Sequence, residues 1–192
     1  IAAAILTEAL EADYWKPIQA GDLENSDTHK VKRLISNEKT VFHENAFALK
    51  TPMSPHAAAE IDQVEITAGK IQPPVTQNTL VIEGAGGLLV PINEKETIAD
   101  IIKPQHKVIL VSRHYLGSIN HTLLTVEALR TRKLNIAGII FSGEENKTSE
   151  KVILEMTGLP VIGRIDQEPY FDQNVIAEYA EKFRIKLLKN ED

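Results

Sequence analysis

A chain of 192 residues that is 43% hydrophobic and 25% charged has the length and make-up of one ordinary globular domain, spanning residues 1–192. A net charge of -6 without a basic run argues against general nucleic-acid binding, and the absence of cysteine excludes a disulfide framework, a thiolate metal site and a Cys nucleophile, which suits a reducing cytoplasm. No apolar stretch approaches the roughly 20 residues that span a bilayer, and residues 1–10, interrupted by Thr7 and Glu8 and lacking a basic flank, do not read as a secretion signal.

Ile1, Ile5, Ala9 and Leu6, Leu10 recur at helical spacing, so the chain opens inside a helix. A short strand over residues 14–18 follows, and Ser26 or Asp27 caps a helix running to about Ser36. Residues 41–49 mix polar and apolar positions without a clear period. Helices are predicted near 56–61, 67–72 and 97–103. Between the last two lies a strand at Leu80, Val81 and Ile82, read as buried on both faces. Then strand and helix alternate: strand 108–112, helix 118–132, strand 136–141, helix 149–157, strand 161–165, helix 174–183. Apolar β-branched runs separated by helices specify an α/β, doubly wound, mostly parallel sheet with helices on both faces.

The strand at Leu80 delivers one carboxylate, Glu83, into the glycine-rich turn Gly84-Ala85-Gly86-Gly87, at the carboxyl edge of the sheet where open α/β folds bind ligands. The same residues also suit an ordinary strand exit. A helix at residue 1 with no strand before it leaves a βα unit without its β. In doubly wound folds the first strand is central, so a strand upstream of Ile1 is expected.

Five segments occur in order: Tyr14-Trp15-Lys16-Pro17-Ile18-Gln19-Ala20-Gly21, Asn25-Ser26-Asp27, Ser54-Pro55-His56-Ala57-Ala58, Glu83-Gly84-Ala85-Gly86-Gly87 and Leu116-Gly117-Ser118-Ile119-Asn120-His121. The ordered set resembles the dethiobiotin synthetase family, from Ile1 to about Phe171. The resemblance implies a homodimeric, P-loop NTPase-like enzyme that uses Mg-ATP and CO2 to close a cyclic urea on 7,8-diaminononanoate. Enzymes of that family begin with a strand and a Walker-type loop ending Gly-Lys-Thr. No Gly-x-x-x-x-Gly-Lys-[Ser/Thr] occurs in these 192 residues, and residues 1–10 fit the helix that follows such a loop.

By resemblance Lys16 is the catalytic lysine, binding the carbamate and the γ-phosphate, whereas by itself it reads as a surface lysine at a strand end. Asp27 and Glu83 are implied to hold Mg2+, with Ser26 left to cap the helix, and Gly84, Ala85 and Gly86 join them at the nucleotide. Ser54, Pro55 and His56 border the diamine pocket in the family, although they also suit a loop entering a helix. Ala20 stands where the family often has a substrate-contacting Ser. Gly117, Ser118 and Asn120 are implied to hold the substrate carboxylate across a dimer interface; Asn120 also suits a helix cap. Ser142 and Gly143 replace the family's usual adenine-reading Asn, so base discrimination is expected to weaken or to shift to Asp166, Gln167, Glu168 and Gln173. The six histidines show no paired spacing for a transition metal. The alternatives are a related P-loop amidoligase or cobyrinate-type synthase, and a non-catalytic dimeric binding protein should the Walker loop be absent.

Overall fold

The computed structural model describes residues 1–188. They form two compact units, the first built from residues 3–102 and 172–180 and the second from 103–171 and 181–188. Every pairing between strands in the described residues is parallel, which makes the protein α/β with parallel sheets and flanking helices.

The first unit opens with α1 (Ala2–Leu10), followed by β1 (Asp13–Trp15) and β2 (Ile18–Ala20). The single strand predicted over 14–18 is therefore two strands. Pro17 supplies no N–H for a ladder, and the chain breaks at Lys16-Pro17. Next come α2 (Asp27–Leu34), β3 (Phe42–His43), β4 (Phe47–Leu49), α3 (Pro55–Ile61) and β5 (Leu80–Ile82). The unpatterned stretch 41–49 thus contains two short strands, each added in parallel to an earlier one: the orders are β3-β1-β5 and β2-β4. The helices predicted at 67–72 and 97–103 are only 3-10 turns, at Ala68–Lys70 and Ile98–Ile101. Leu80, Val81 and Ile82 are half-buried rather than enclosed on both faces.

A core of Trp15, Ile18, Leu49, Ala58, Ile66, Ile71, Ile92 and Ile98 fills this unit. Gly21 ends β2 with φ +70°, and a Cβ there would lie 2.4 Å from the Pro52 Cβ, so only glycine fits the turn. Two buried carboxylates tie segments together. Glu8 of α1 accepts from the Ser36 and Asn37 amides at 3.0 and 3.1 Å and from both their side chains. Asp13, at the amino end of β1, accepts from Thr76 Oγ1, Asn78 Nδ2 and the Val41 amide, and lies 3.2 Å from His43 Nε2.

The second unit is built on β6 (Lys107–Arg113), β7 (Asn135–Ser142) and β8 (Val161–Ile165), in the order β6-β7-β8. The strands alternate with α4 (Ser118–Thr131) and α5 (Lys147–Thr157), and α6 (Gln173–Leu188) closes the described chain, its residues to Ala180 belonging to the first unit. Ile139, Phe141 and Ile153 form its core. α5 starts earlier than predicted because the Asn146 side chain accepts from the Ser149 amide at 3.0 Å, adding a turn ahead of Ser149. Gly163 of β8 has no room for a side chain: a Cβ would fall 2.1 Å from the Phe183 ring.

Candidate active site

β1 and β5 run parallel with Tyr14 opposite Val81 and Trp15 opposite Ile82, and the Glu83 amide donates to the Trp15 carbonyl at 3.0 Å. Side chains alternate along a strand, so Tyr14 and Lys16 leave one face of β1, and Glu83 follows β5 at the matching edge. Lys16 is 5% exposed. Its ammonium lies 2.6 Å from Asp27 Oδ2 and 3.6 Å from Glu83 Oε1, and it donates to the Gly84 carbonyl at 3.1 Å. The Tyr14 hydroxyl donates to Glu83 Oε2 at 2.6 Å.

Asp27 is placed by the start of α2. Ser26 is the cap residue, its hydroxyl accepting from the His29 amide while its own amide donates to His29 Nδ1. Ser26 thus does the capping, and the Asp27 carboxylate faces Lys16. The Asp27 amide donates to Gln19 Oε1, whose Nε2 donates to the Gly21 carbonyl, so one buried glutamine joins the turn after β2 to the helix start. Burial on its own would raise the Asp27 carboxyl, but the hydrogen bond and charge of Lys16, with Lys30 beyond it, hold it below the usual carboxylate range. Burial and the Glu83 charge push the Tyr14 hydroxyl far up, so it stays a donor at any physiological pH.

An ammonium at the carboxyl end of β1, held between one carboxylate after β5 and another at the start of α2, can bind and neutralise an anion under attack. Among the described residues no group of three His, Asp or Glu side chains is set to hold a metal ion. Asp27 and Glu83 fit Mg2+ by their chemistry: they offer hard carboxylate oxygens, and Mg2+ takes one or two such groups and completes its shell with water and phosphate.

The structure sorts the other predicted residues into distinct groups. Ala85 packs on the core of the first unit and Gly86 continues the turn after Glu83. Ala20 ends β2 opposite Leu49, and α3, which begins with Pro55 after Ser54, packs against β2 and β4. His56 is exposed, with its amide on the Pro91 carbonyl and Nδ1 3.2 Å from the Ser54 hydroxyl. In the second unit Gly117, Ser118 and Asn120 line a cavity of about 780 Å³ with Tyr115, Leu116 and Ser149. Gly117, not Asn120, is the residue at the helix cap; Asn120 sits within the first turn of α4 and is exposed. Ser118 is buried and its carbonyl accepts from Thr122, whose hydroxyl meets Ser112 of β6 at 2.8 Å.

Ser142 ends β7 and Gly143 follows it, and Asp166, Gln167 and Glu168 follow β8. Gln173 belongs to the first unit, where its amide donates to the Ile35 carbonyl. Sequence reasoning passed over Tyr14, whose one available signal was its spacing of two from Lys16. It also passed over Arg164, Glu150 and His114, which gather around Gly143 from three separate elements.

The parallel sheets make this an α/β protein with Lys16 and Glu83 at strand ends and Asp27 at a helix start, and a family model described as an AAA domain, which matches residues 1–175, places it in the P-loop class. The chain is 62% identical over 187 residues to an ATP-dependent dethiobiotin synthetase from Christiangramia forsetii, covering 97% of this chain and 90% of the relative. It is 47% identical over 184 residues to that of Cytophaga hutchinsonii, covering 95% and 89%, and 42% identical over 185 residues to that of Agrobacterium fabrum, covering 95% and 87%. The chain belongs to the dethiobiotin synthetase family. That membership decides against the cobyrinate-type and non-catalytic alternatives.

Proposed function

We propose that the chain carries out the ATP-dependent ring closure of 7,8-diaminononanoate with CO2 to dethiobiotin, a step of biotin synthesis. The observation that carries the reading is the buried Lys16 ammonium, set between Asp27 and Glu83 at the ends of β1 and β5. One substrate amine, unprotonated, captures CO2 as a carbamate. A carbamate oxygen attacks the γ-phosphorus of ATP and expels ADP, and the second amine then displaces phosphate to close the ring. No protein nucleophile is required. Lys16 holds the carbamate and γ-phosphate oxygens as negative charge moves between them, and its buried setting keeps water from weakening that interaction.

Mg2+, when bound, screens the phosphate charge and aligns the phosphate oxygens. Asp27 and Glu83 are the residues that would hold it, with Tyr14 fixing the Glu83 carboxylate. Gly84, Ala85 and Gly86 bring backbone close to the nucleotide, Ser142, Gly143 and Asp166 to Glu168 take the base, and Ala20 with Ser54, Pro55 and His56 border the diamine. The cavity lined by Gly117, Ser118 and Asn120 takes the substrate carboxylate at the start of α4. Tyr115 and Leu116, large apolar side chains exposed on its rim, support a homodimer in which a second copy covers this face. The lack of cysteine supports a cytoplasmic setting. Among the described residues no helix is long and apolar enough to cross a membrane.

The deciding experiment is dethiobiotin formation from 7,8-diaminononanoate and Mg-ATP, with and without bicarbonate. Bicarbonate-dependent product establishes the reaction. A folded sample giving ATP-dependent product from neither condition refutes it.

A further inference from the structure

The carboxyl ends of β6, β7 and β8 are joined by a partly buried network to which the reaction as described assigns no role. Arg164 of β8 spends its guanidinium on three partners. Nη2 donates to the Gly143 carbonyl at 2.7 Å, Nε donates to Asp166 Oδ1 at 2.8 Å, and Nη1 pairs with Glu150 Oε1. Glu150, in the first turn of α5, shares that same oxygen with His114 Nε2 at 2.9 Å. The His114 ring lies flat against Phe141, centroids 5.6 Å apart and planes 9° from parallel, and its amide donates to the Ser142 carbonyl at 2.9 Å. His114 Nδ1 is buried without a hydrogen-bond partner. A proton on Nε2 gives Glu150 a donor.

The side chains of His114, Glu150 and Arg164 are 8%, 17% and 20% exposed, so these three are well shielded for a group of charges, while Asp166 at the rim is 60% exposed. A flexible surface ion pair contributes little to order, but a planar fork bound at three points fixes the positions of all three partners. Two of those partners, Gly143 and Asp166, flank the loops that follow β7 and β8. Ser142 has a single hydroxyl with which to meet a base, fewer directed bonds than an amide would offer. Reading of the base therefore falls on the backbone of these loops, and backbone groups discriminate only when held still.

We propose that Arg164, anchored by Glu150 and His114, is a positioning residue that fixes the Gly143 and Asp166 loops in the geometry that binds the nucleotide base. This rests on the assignment of those loops to the base. Lysine at 164 supplies one compact ammonium and cannot hold the three partners together.

The test is calorimetric titration of the full chain with two ligands, a non-hydrolysable ATP analogue and inorganic tripolyphosphate, which lacks base and ribose. Arg164→Lys is expected to weaken the analogue about tenfold, the loss of one or two well-made hydrogen bonds, and to leave tripolyphosphate within about twofold. Steady-state turnover should follow, with KM for ATP raised and kcat nearly kept. Equal weakening of both ligands, or of neither, overturns the proposal. Should Arg164→Lys fail to fold, Glu150→Gln decides in its place: it keeps the shape of the cluster but removes the charge that anchors Arg164, and the same base-dependent loss is expected at about threefold. No difference between the two ligands in that variant also overturns it. A wild-type chain that binds both ligands equally refutes the base assignment along with the proposal. A wild-type preference for the analogue that survives both substitutions refutes the proposal alone.

Discussion

Lys16 has two carboxylates and a carbonyl within reach and 5% of its surface exposed, so its removal leaves Asp27 and Glu83 facing each other without the cation between them. Lys16→Ala is expected to fold and to lose about 10²–10³ in kcat, the usual effect of deleting a group that stabilises transition-state charge. Retention of near-normal kcat would remove Lys16 from the chemistry. Tyr14→Phe tests orientation rather than charge. Phe keeps the packing against Phe42, whose ring centroid lies 5.9 Å away, but frees Glu83 Oε2. The Mg2+ concentration for half-maximal rate should rise about tenfold or more, with a matching loss in Mn2+ binding read by electron paramagnetic resonance. An unchanged Mn2+ isotherm would show that Glu83 needs no such support. Lys16, Asp27 and Glu83 were singled out through the ordered set of motifs that resembles the family; by itself Lys16 read as a surface lysine, whereas it is buried. Tyr14 was not singled out, because its partner is 69 positions away and only the β1–β5 register brings the two together.

Among the elements, regular alternation was readable wherever a strand or helix ran five residues or more, as in β6 to β8 and α4 to α6. The two- and three-residue strands β3 and β4 were not. Their sequence has no room for a period, and they exist because β1 and β2 offer them a parallel edge. The 3-10 turns were overread as helices for the same reason: three or four residues of helical composition cannot show where a helix fails to propagate. β8 offers a sharp test of packing. Gly163→Ala drives a methyl into the Phe183 ring and should cost about 1–3 kcal/mol as the ring shifts. Thermal unfolding should report it as a fall of several degrees in Tm; an unaltered Tm would mean that Phe183 yields without cost.

The acid response of the molecule draws on Glu8, Asp13 and Asp27, three of the carboxyls held below their ordinary values. Glu8 and Asp13 are penalised by burial, yet hydrogen bonds from Ser36 and Asn37 in one case and from Thr76, Val41, His43 and Asn78 in the other hold both below their ordinary values. Asp27 is lowered with them. A carboxyl whose folded value is depressed contributes stability that is complete above its unfolded value, about pH 4, and is lost as pH falls through the folded one. Tm should therefore be flat on the acid side of neutrality and drop below about pH 4, and Glu8→Gln, which turns an acceptor into a donor facing donors, should lower the plateau and soften the drop. A Tm at pH 3 equal to that at pH 6 would contradict all three assignments.

Asp13 opens the three-residue strand β1, and Lys16 is the residue that follows its last position. Groups from the segments on both sides of β1 hold Asp13, namely the Val41 amide, Thr76, Asn78 and His43, and a slip of β1 by one position would break these contacts while turning Tyr14 away from Glu83. The strand thus behaves as a pin seated at its base, with the reactive ammonium at its tip. Substitutions at Thr76 or Asn78 touch nothing that reacts, but they loosen the seat, and a tip displaced by a fraction of an ångström is how damage done at one edge of a sheet becomes lost turnover at the other.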